Sequence, residues 1–450
     1  MYVNPEVFHA YDVRGLFPED LNAQGTYIIA RAFVEYLRAH TKDQLTIIVG
    51  TDARPSSPEL KKGLIEGLLD EGVKVIDQGY TTTPYHYYTV YQQHADGGLM
   101  ITASHNPYRY NGVKFTMPPS RERDDFMDVI KEIARRGIFK NNEQKGEVVP
   151  FPESRKYVDD IVSRFDLQKA KNMKIVLNGG GGMITLFLKK LQDVLPCKVI
   201  LMNEELLFDL KHEPLNPIKE ESLASLKNKV LEERADFGVA FDSDADRSGF
   251  VTNNARYFRG DYVGAFFARE FLKQNPGAKI IHDLRASSIA RETIKAGGGE
   301  ALELRVGNRY IKEAMHKQDA IFASEVSGHF YFKDVHGMDS DLLPLLYFLK
   351  FVSESGKTAD EILDEFAVYP SSGEINFEVK DKEKVLDKIA AYYKDARETK
   401  WLDGFTVYYD DWWANIRLSN TEPLVRLNLE ARTKEILHEK LTEIRSLIQS

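Results

Sequence analysis

QLTIIVG (44–50), VKVIDQG (73–79), GGLMITA (97–103) and GVKFTM (112–117) are four short apolar runs, separated by amphipathic stretches such as Ser57 to Asp70. Strand-like runs alternating with helical periodicity are the pattern of a layered α/β unit. The pattern recurs twice. A second unit begins with MKIVLNGG at 173, continues through a helix from Ile184 to Leu195 and the strand VILM, and ends with DFGVAF (236–241). A third begins with AKIIHDL at 278, followed by a helix over Ser288 to Ala296, LELRVG, a helix over Arg309 to His316, and AIFASEVSGHFYF. Three units of one pattern point to an ancient triplication, although no residue repeat accompanies it. The remainder differs: strand EINFEV (374–379), a helix from Lys382 to Tyr393, two strands around 405 to 430 and a C-terminal helix from Thr433 form a smaller α+β unit. The expected domains are 1–150, 151–254, 255–368 and 369–450, the first ending near the polar stretch Asn141 to Pro152. Val368-Tyr369-Pro370-Ser371-Ser372-Gly373 has the composition of a linker or hinge.

With 450 residues the chain exceeds a single typical domain, and 43% hydrophobic against 29% charged residues is an ordinary globular composition. The one cysteine, Cys197, excludes an intrachain disulfide and reads as a buried core thiol, since no base motif accompanies it. No basic-apolar leader and no transmembrane-length apolar run occur, so a soluble, cytoplasmic protein is expected. Sixty basic against 69 acidic residues give a net charge of −9, which argues against nucleic-acid or membrane partners. An anionic substrate then needs a local cluster of Arg and Lys.

Four constellations carry chemistry. Thr102-Ala103-Ser104-His105-Asn106-Pro107 follows a strand, and a Ser at a strand end beside His and Asn, in a loop stiffened by Pro, can be presented as a nucleophile or phosphate carrier. Asp242-Ser243-Asp244-Ala245-Asp246-Arg247 follows DFGVAF, and carboxylates at alternate positions of a turn can converge on a hard cation such as Mg²⁺. An EF-hand is excluded, because the sixth and twelfth loop positions are Arg247 and Asn253 rather than Gly and Glu. A haloacid-dehalogenase-type aspartyl nucleophile lacks its following Gly-Thr pair. Glu325-Val326-Ser327-Gly328-His329 frames a close-approach Gly with an acid, a hydroxyl and an imidazole, groups suited to sugar hydroxyls. Arg417-Leu418-Ser419-Asn420-Thr421-Glu422-Pro423-Leu424-Val425-Arg426 sets hydroxyl and amide donors between two guanidinium groups, an inventory for a phosphate dianion. The Gly-rich NGGGG at 178 to 182 lacks a Walker Lys-Ser/Thr pair and reads as a structural turn.

Together, and in this order, the four motifs resemble the α-D-phosphohexomutase superfamily of phosphomannomutase/phosphoglucomutase type, from FHAYDVRG (8–15) to the C-terminal phosphate loop. The resemblance implies four domains around a central cleft, three related mixed α/β sheet domains and a smaller C-terminal α+β domain. It assigns the phosphoserine to Ser104, and Mg²⁺ to Asp242, Asp244 and Asp246 with the Ser104 phosphate. It assigns sugar recognition to Glu325, Ser327 and His329, and the substrate phosphate to Arg417, Ser419, Asn420, Thr421 and Arg426. Tyr11, Arg14 and Lys114 match further site positions of the family. Two departures stand nearby: Ser324 where Gly is usual before the Glu, and His9 where Arg is common.

The implied reaction moves a phosphoryl group between O1 and O6 of mannose or glucose phosphate through phosphorylated Ser104 and a hexose 1,6-bisphosphate intermediate, which also serves as activator. Lys114 and Arg247 offset the repulsion between phosphate groups, and Lys114, His105 and His329 are the acid/base candidates. Phosphoglucosamine mutase, whose branch typically has Gln at the position of Val326, and a non-catalytic sugar-phosphate sensor are the alternatives. The expected partners are hexose phosphates, with the chain a monomer or homodimer. The C-terminal domain is expected to rotate inward about Pro370–Gly373.

Overall fold

The computed structural model describes residues 3–39, 44–121, 123, 125–140, 142–151, 155–208, 215–419 and 423–449. The chain forms two compact units, Met1–Phe258 with Ser327–Ala359, and Arg259–Val326 with Asp360–Ser450.

In the first unit a six-stranded mixed sheet runs in the order Asp12–Leu16, Tyr110–Thr116, Gly97–Ile101, Thr46–Thr51, Lys74–Tyr80, Glu147–Pro150. Thr46–Thr51 pairs parallel with Gly97–Ile101 and with Lys74–Tyr80, whereas Tyr110–Thr116 is antiparallel to both its neighbours. Every residue of Gly97–Ile101 is buried. The two glycines are required by packing: a Cβ on Gly97 would lie 2.8 Å from the Phe33 ring, and one on Gly98 2.5 Å from His86. Helices Ala23–Arg38 and Thr83–Gln92 carry Phe33 and His86 against this strand. Helix Ser57–Asp70 spans the residues its periodicity predicts. The polar stretch ending the first unit of pattern contains an extra strand, Glu147–Pro150, which is mostly exposed and so carries no apolar signal.

A second sheet of the same unit runs Tyr257–Phe258, Ser248–Thr252, Phe237–Phe241, Lys174–Asn178, Lys198–Met202, the last three parallel. Cys197 is buried, and burial pushes its thiol up to about 11, in keeping with a core residue. Phe330–Phe332 pairs with Met338–Asp339 as a short antiparallel ribbon.

In the second unit Glu300–Leu304, Lys279–Asp283 and Phe322–Ser324 are parallel, with Lys279–Asp283 in the middle. The C-terminal residues make an antiparallel sheet in the order Ser371–Glu378, Leu424–Ala431, Trp412–Leu418, Phe405–Tyr408, Glu398–Lys400. Three strands therefore occupy 405 to 430, where the sequence pattern reads as two. The reversal over 409–411, where the Tyr409 N–H donates to Trp412 O over 2.8 Å, is too short to mark the break clearly.

The linker expectation is corrected for the last three of its residues, while 367–370 form neither helix nor strand. Ser371–Gly373 lies within the edge strand, at a register irregularity between Ser371 and Glu374, with Gly373 at φ +62°. Small and Gly residues suit a β-bulge as well as a linker, so composition could not separate the two. The preceding Tyr369 is held as well: its hydroxyl donates to Glu292 over 2.6 Å. The C-terminal sheet is further tied to the parallel strands by Lys400 and Tyr408, each 2.9 Å from Glu303, and to helix Ser288–Ala296 by the Ser288 N–H, 2.8 Å from Glu430.

Two buried groups give the fold a pH dependence. Burial lowers the His86 imidazole from 6.5 to about 3, while its Nδ1 sits 3.1 Å from Gln78 Oε1. Because the folded value lies below the unfolded one, this contribution is complete above pH 6.5 and is lost as pH falls, by about 2 kcal/mol near pH 5. Asp341 acts in the opposite sense. Burial raises its carboxyl to about 6 against hydrogen bonds from Tyr157, Thr82 and the Leu342 N–H, so its contribution is lost as pH rises through that value. Comparing denaturant midpoints of wild type and His86→Gln isolates the histidine. The variant is expected to lose less stability on acidification to about pH 5; equal losses would show that His86 is not held neutral.

Candidate active site

Parallel strands place the motif loops at their carboxyl ends, the usual location of ligand sites in open α/β sheets. In the first sheet Thr51 lies opposite Ile101, so the loops beginning at Asp52 and Thr102 leave side by side. Ser104 stands in the second of these, at φ +49°. A left-handed conformation is costly for a residue with a Cβ and persists only where the surroundings impose it. They do so here. The Ser104 N–H donates to Thr102 Oγ1 over 3.0 Å, and its carbonyl accepts from Arg54 over 2.6 Å.

The acidic loop leaves the end of Phe237–Phe241, beside the Gly-rich turn that ends Lys174–Asn178. That turn is structural, as its sequence indicates, and it shapes the acidic loop. The Met183 N–H donates to Ser243 O over 2.7 Å, and a Cβ on Gly182 would meet Ser243 backbone at 2.8 Å. Asp242, Asp244 and Asp246 are all buried and bring one carboxylate oxygen each within 4.8 Å of the others.

The first unit gathers most of the sequence-predicted residues. Ser104 Oγ donates to Asp242 Oδ2 over 2.6 Å, across 138 residues of sequence. Lys114 Nζ bridges Asp244 Oδ2 at 2.7 Å and Asp246 Oδ2 at 2.5 Å. Thr83 fixes Asp244 from the other side, its hydroxyl donating to Oδ2 over 2.7 Å and its N–H to the Asp244 carbonyl over 2.9 Å. His329 Nε2 lies 3.3 Å from Asp246 Oδ1, with its Nδ1 2.8 Å from Ser327 Oγ. Arg14 donates to Asn106 Oδ1 and to Asp12, both over 2.7 Å, and so braces the serine loop. Tyr11 is exposed nearby in sequence, and the Arg247 N–H donates to Asp242 Oδ1 over 3.2 Å.

The electrostatics narrow what these groups can do. His105 Nδ1 is 3.2 Å from Ser104 Oγ, and the charge of Arg247, then burial and Arg14, push its imidazole down to about 2. The ring is therefore neutral. Since the serine hydrogen goes to Asp242, the contact requires Nδ1 to donate to Oγ, which makes His105 an orienting donor in this arrangement. Burial works to lower Lys114, but Asp244 and Asp246 outweigh it and hold the ammonium well above its usual value. Burial, then Asp246 and Asp244, raise Asp242 well above the carboxylate range.

Three buried carboxylates converge on one point, and burial with Asp246 and Asp244 raises Asp242 despite the charge of Arg247, so the cluster accommodates further positive charge. Asp244 Oδ1 is buried with no hydrogen-bond partner. An orphaned oxygen within an all-oxygen donor set fits a hard divalent cation.

The second unit holds the other motifs. Asp283 anchors the start of the Glu325 to His329 motif: its Oδ2 accepts the Val326 N–H over 2.9 Å and an Arg285 N–H over 2.7 Å. Buried Glu325 accepts from the Gly307 N–H over 3.4 Å. Ser327 and His329 belong to the first unit, so the motif is divided between the units after Val326. Arg417 and Arg426 lie on adjacent antiparallel strands, directly opposite one another. Both meet Glu374, at 2.6 Å and 3.6 Å, and together these arginines outweigh burial and lower its carboxyl. Arg426 NH2 is 3.5 Å from Ser419 Oγ, and Lys382 Nζ donates to the Ser419 carbonyl over 2.7 Å. Asn420 and Thr421 lie outside the described residues.

Sequence reading missed Arg54, Arg285, Glu374 and Lys382. None lies in a motif rich in functional residue types: Glu374 acquires its place from strand pairing, Arg54 and Arg285 from the loops that follow strands, and Lys382 from the start of helix Lys382–Tyr392. Only Arg54 left a trace, in the run Thr51-Asp52-Ala53-Arg54-Pro55-Ser56-Ser57 at the end of an apolar strand.

Among the described residues no helix is long and apolar enough to cross a membrane. Four family models match in order: phosphoglucomutase/phosphomannomutase α/β/α domain I over residues 5–141, domain II over 155–256, domain III over 259–369 and the C-terminal domain over 374–447. A phosphomannomutase of Vibrio cholerae is 34% identical over 453 residues, covering 98% of each chain. One from Methanocaldococcus jannaschii is 34% identical over 450 residues, covering 100% of this chain and 98% of its own. The crystal structure of a phosphoglucomutase/phosphomannomutase family protein from Burkholderia thailandensis superposes with a TM-score of 0.90 at 28% identity, covering 100% of this chain and 98% of its own. With all four domain models matched in order and full-length relatives above 30% identity, the chain belongs to the phosphoglucomutase/phosphomannomutase family of hexose-phosphate mutases.

Proposed function

We propose that the chain interconverts the 1- and 6-phosphates of mannose, glucose or both, with Ser104 as the phosphoryl carrier and a hexose 1,6-bisphosphate as the intermediate. The observation that carries this reading is Ser104 Oγ held in a strained turn, 2.6 Å from Asp242 of a buried three-carboxylate cluster. Asp242, Asp244 and Asp246 would hold Mg²⁺. When bound, the cation supplies Lewis-acid stabilisation of phosphoryl oxygens.

The remaining roles follow from the side chains. Lys114, kept protonated by Asp244 and Asp246, contributes charge and a transferable proton rather than acting as a base. His105 orients Ser104 through its neutral ring. His329, held between Ser327 and Asp246, is the acid/base candidate that this arrangement leaves best placed. Arg247 and Arg14 add positive potential around the serine loop. In the second unit Arg417, Arg426 and Ser419, with Asn420 and Thr421, take the substrate phosphate, and Glu325 takes sugar hydroxyls. Glu374 is the internal anion of that arginine pair, which a substrate phosphate must displace or share. The domain boundaries accompanying this reading are 1–150, 151–254, 255–368 and 369–450.

Val326, with an apolar side chain where the phosphoglucosamine branch carries an amide, favours neutral hexoses over amino sugars. Competition among mannose, glucose and glucosamine 1-phosphates tests this, and a strong glucosamine preference would overturn it. Arg417→Ala is expected to raise KM for hexose phosphate by about tenfold or more, since a charge-assisted bidentate contact is lost. An unchanged KM in steady-state assays would remove Arg417 from the phosphate grip.

A further inference from the structure

Arg54 pairs with only one carboxylate, Asp52, yet among the described residues it is the largest side chain with less than 2% exposure. All five of its guanidinium donors are used, and four of them point at one loop. Nε donates to Asp52 Oδ2 over 3.1 Å. NH1 donates to the carbonyls of Pro107 and Tyr110, both over 2.9 Å. NH2 donates to the carbonyls of Ser104 over 2.6 Å and Asn106 over 2.7 Å. The anchor is fixed in turn: Asp52 Oδ1 accepts from Ser57 Oγ over 2.6 Å and from the Arg54 N–H over 3.1 Å, and the Asp52 N–H donates to Ile101 O over 2.9 Å.

We propose that Arg54 is the positioning residue that sets the phosphoryl-transfer geometry of Ser104, by clamping the serine loop from behind through four of its carbonyls. The inference rests on the reading of Ser104 as phosphoryl carrier. A guanidinium is a rigid planar fork, so carbonyls bound to it are fixed relative to one another as well as to the sheet. The Ser104 carbonyl is one of them, and fixing it, together with the Thr102 contact on the Ser104 N–H, holds the left-handed φ of +49° that aims Oγ at Asp242. Arg14 braces the same loop from its front through Asn106 Oδ1. The loop is thus held on both sides, with Oγ left to Asp242 and His105. Arg54 reaches no substrate; it acts through backbone alone. Lysine keeps the charge near Asp52 but offers three donors from one point, which cannot span four carbonyls.

The test is Arg54→Lys in the full chain, with kcat, KM for hexose 1-phosphate and denaturant midpoint measured together. A fall in kcat of roughly 100-fold is expected, the scale of an ångström-level misplacement, with KM within about twofold. Partial recovery of kcat in Arg54→Ala on adding guanidinium at low millimolar concentration is also expected, and a residue needed only for folding would not show it. If Arg54→Lys does not fold, Ser57→Ala, which frees Asp52 from its 2.6 Å hydrogen bond, replaces it, with a severalfold loss of kcat at constant KM expected. Wild-type kcat in whichever of these variants folds overturns the clamp. Peptide mapping after incubation with glucose 1,6-bisphosphate separates the two failures. Phosphate on Ser104 in wild type and variant with equal kcat overturns the clamp alone, whereas no phosphate on wild-type Ser104 overturns the reading beneath it.

Discussion

Alanine at position 104 is expected to lower hexose-phosphate interconversion by on the order of 10⁴-fold or more, the loss typical of removing a covalent nucleophile. The carboxylates of the acidic loop are held by Lys114, Thr83 and the loop backbone, with Asp244 Oδ1 left over, and none of them is placed as Ser104 Oγ is. Stability should change little: alanine loses the hydrogen bond to Asp242, a cost of about 1–2 kcal/mol in a domain-sized unit, and keeps a left-handed strain that the wild type already carries. A coupled assay of glucose 6-phosphate formation, run beside a melting curve, separates lost chemistry from lost fold. Near-wild-type turnover in a folded Ser104→Ala protein would remove Ser104 from the reaction.

Asp244→Asn should be nearly as damaging, by a different route. Asp244 Oδ2 already accepts from Lys114 and Thr83, and its Oδ1 is the buried oxygen without a partner. An amide either presents N–H groups to those two donors or turns its nitrogen toward the cation position, and both arrangements oppose a metal. Divalent-metal affinity is expected to fall by about 100-fold and kcat with it, and exhaustive EDTA treatment of the wild type should stop turnover while leaving the melting transition in place. Activity that survives chelation, or unchanged metal affinity in the variant measured by calorimetry, would refute the assignment of the acidic loop.

What was legible in the sequence was whatever local pattern encodes. Parallel strands flanked by helices read clearly, because GGLMI and FGVAF are buried on both faces and bounded by Gly or Asp. Helix Ser288–Ala296 spans its predicted residues. Motifs at strand ends were legible because their chemistry is concentrated in five or six consecutive residues. Elements on the periphery were not: Glu147–Pro150 is too exposed to show a period, and the bulged start of Ser371–Glu378 mimics a linker. The supporting residues were hidden for another reason. Arg54 acts on carbonyls about fifty residues away, and Glu374 joins two arginines that become neighbours only when Trp412–Leu418 pairs with Leu424–Ala431. Single-residue chemistry that depends on long-range pairing leaves little local signal.

The same distinction explains why the acid/base roles could be narrowed only with side-chain geometry. Lys114, His105 and His329 are equivalent candidates as letters. Ion pairing to Asp244 and Asp246 keeps the first protonated, the field of Arg247 keeps the second neutral, and the third alone bridges a hydroxyl and a carboxylate of the cluster.

The most direct test is whether phosphate resides on Ser104. Intact mass followed by peptide mapping, after incubating the protein with Mg²⁺ and glucose 1,6-bisphosphate, reads this without any assay of turnover. One phosphoryl group located on Ser104, and absent from Ser104→Ala, is the expected result; an unmodified protein, or phosphate on another residue in an enzyme that remains active, would contradict it.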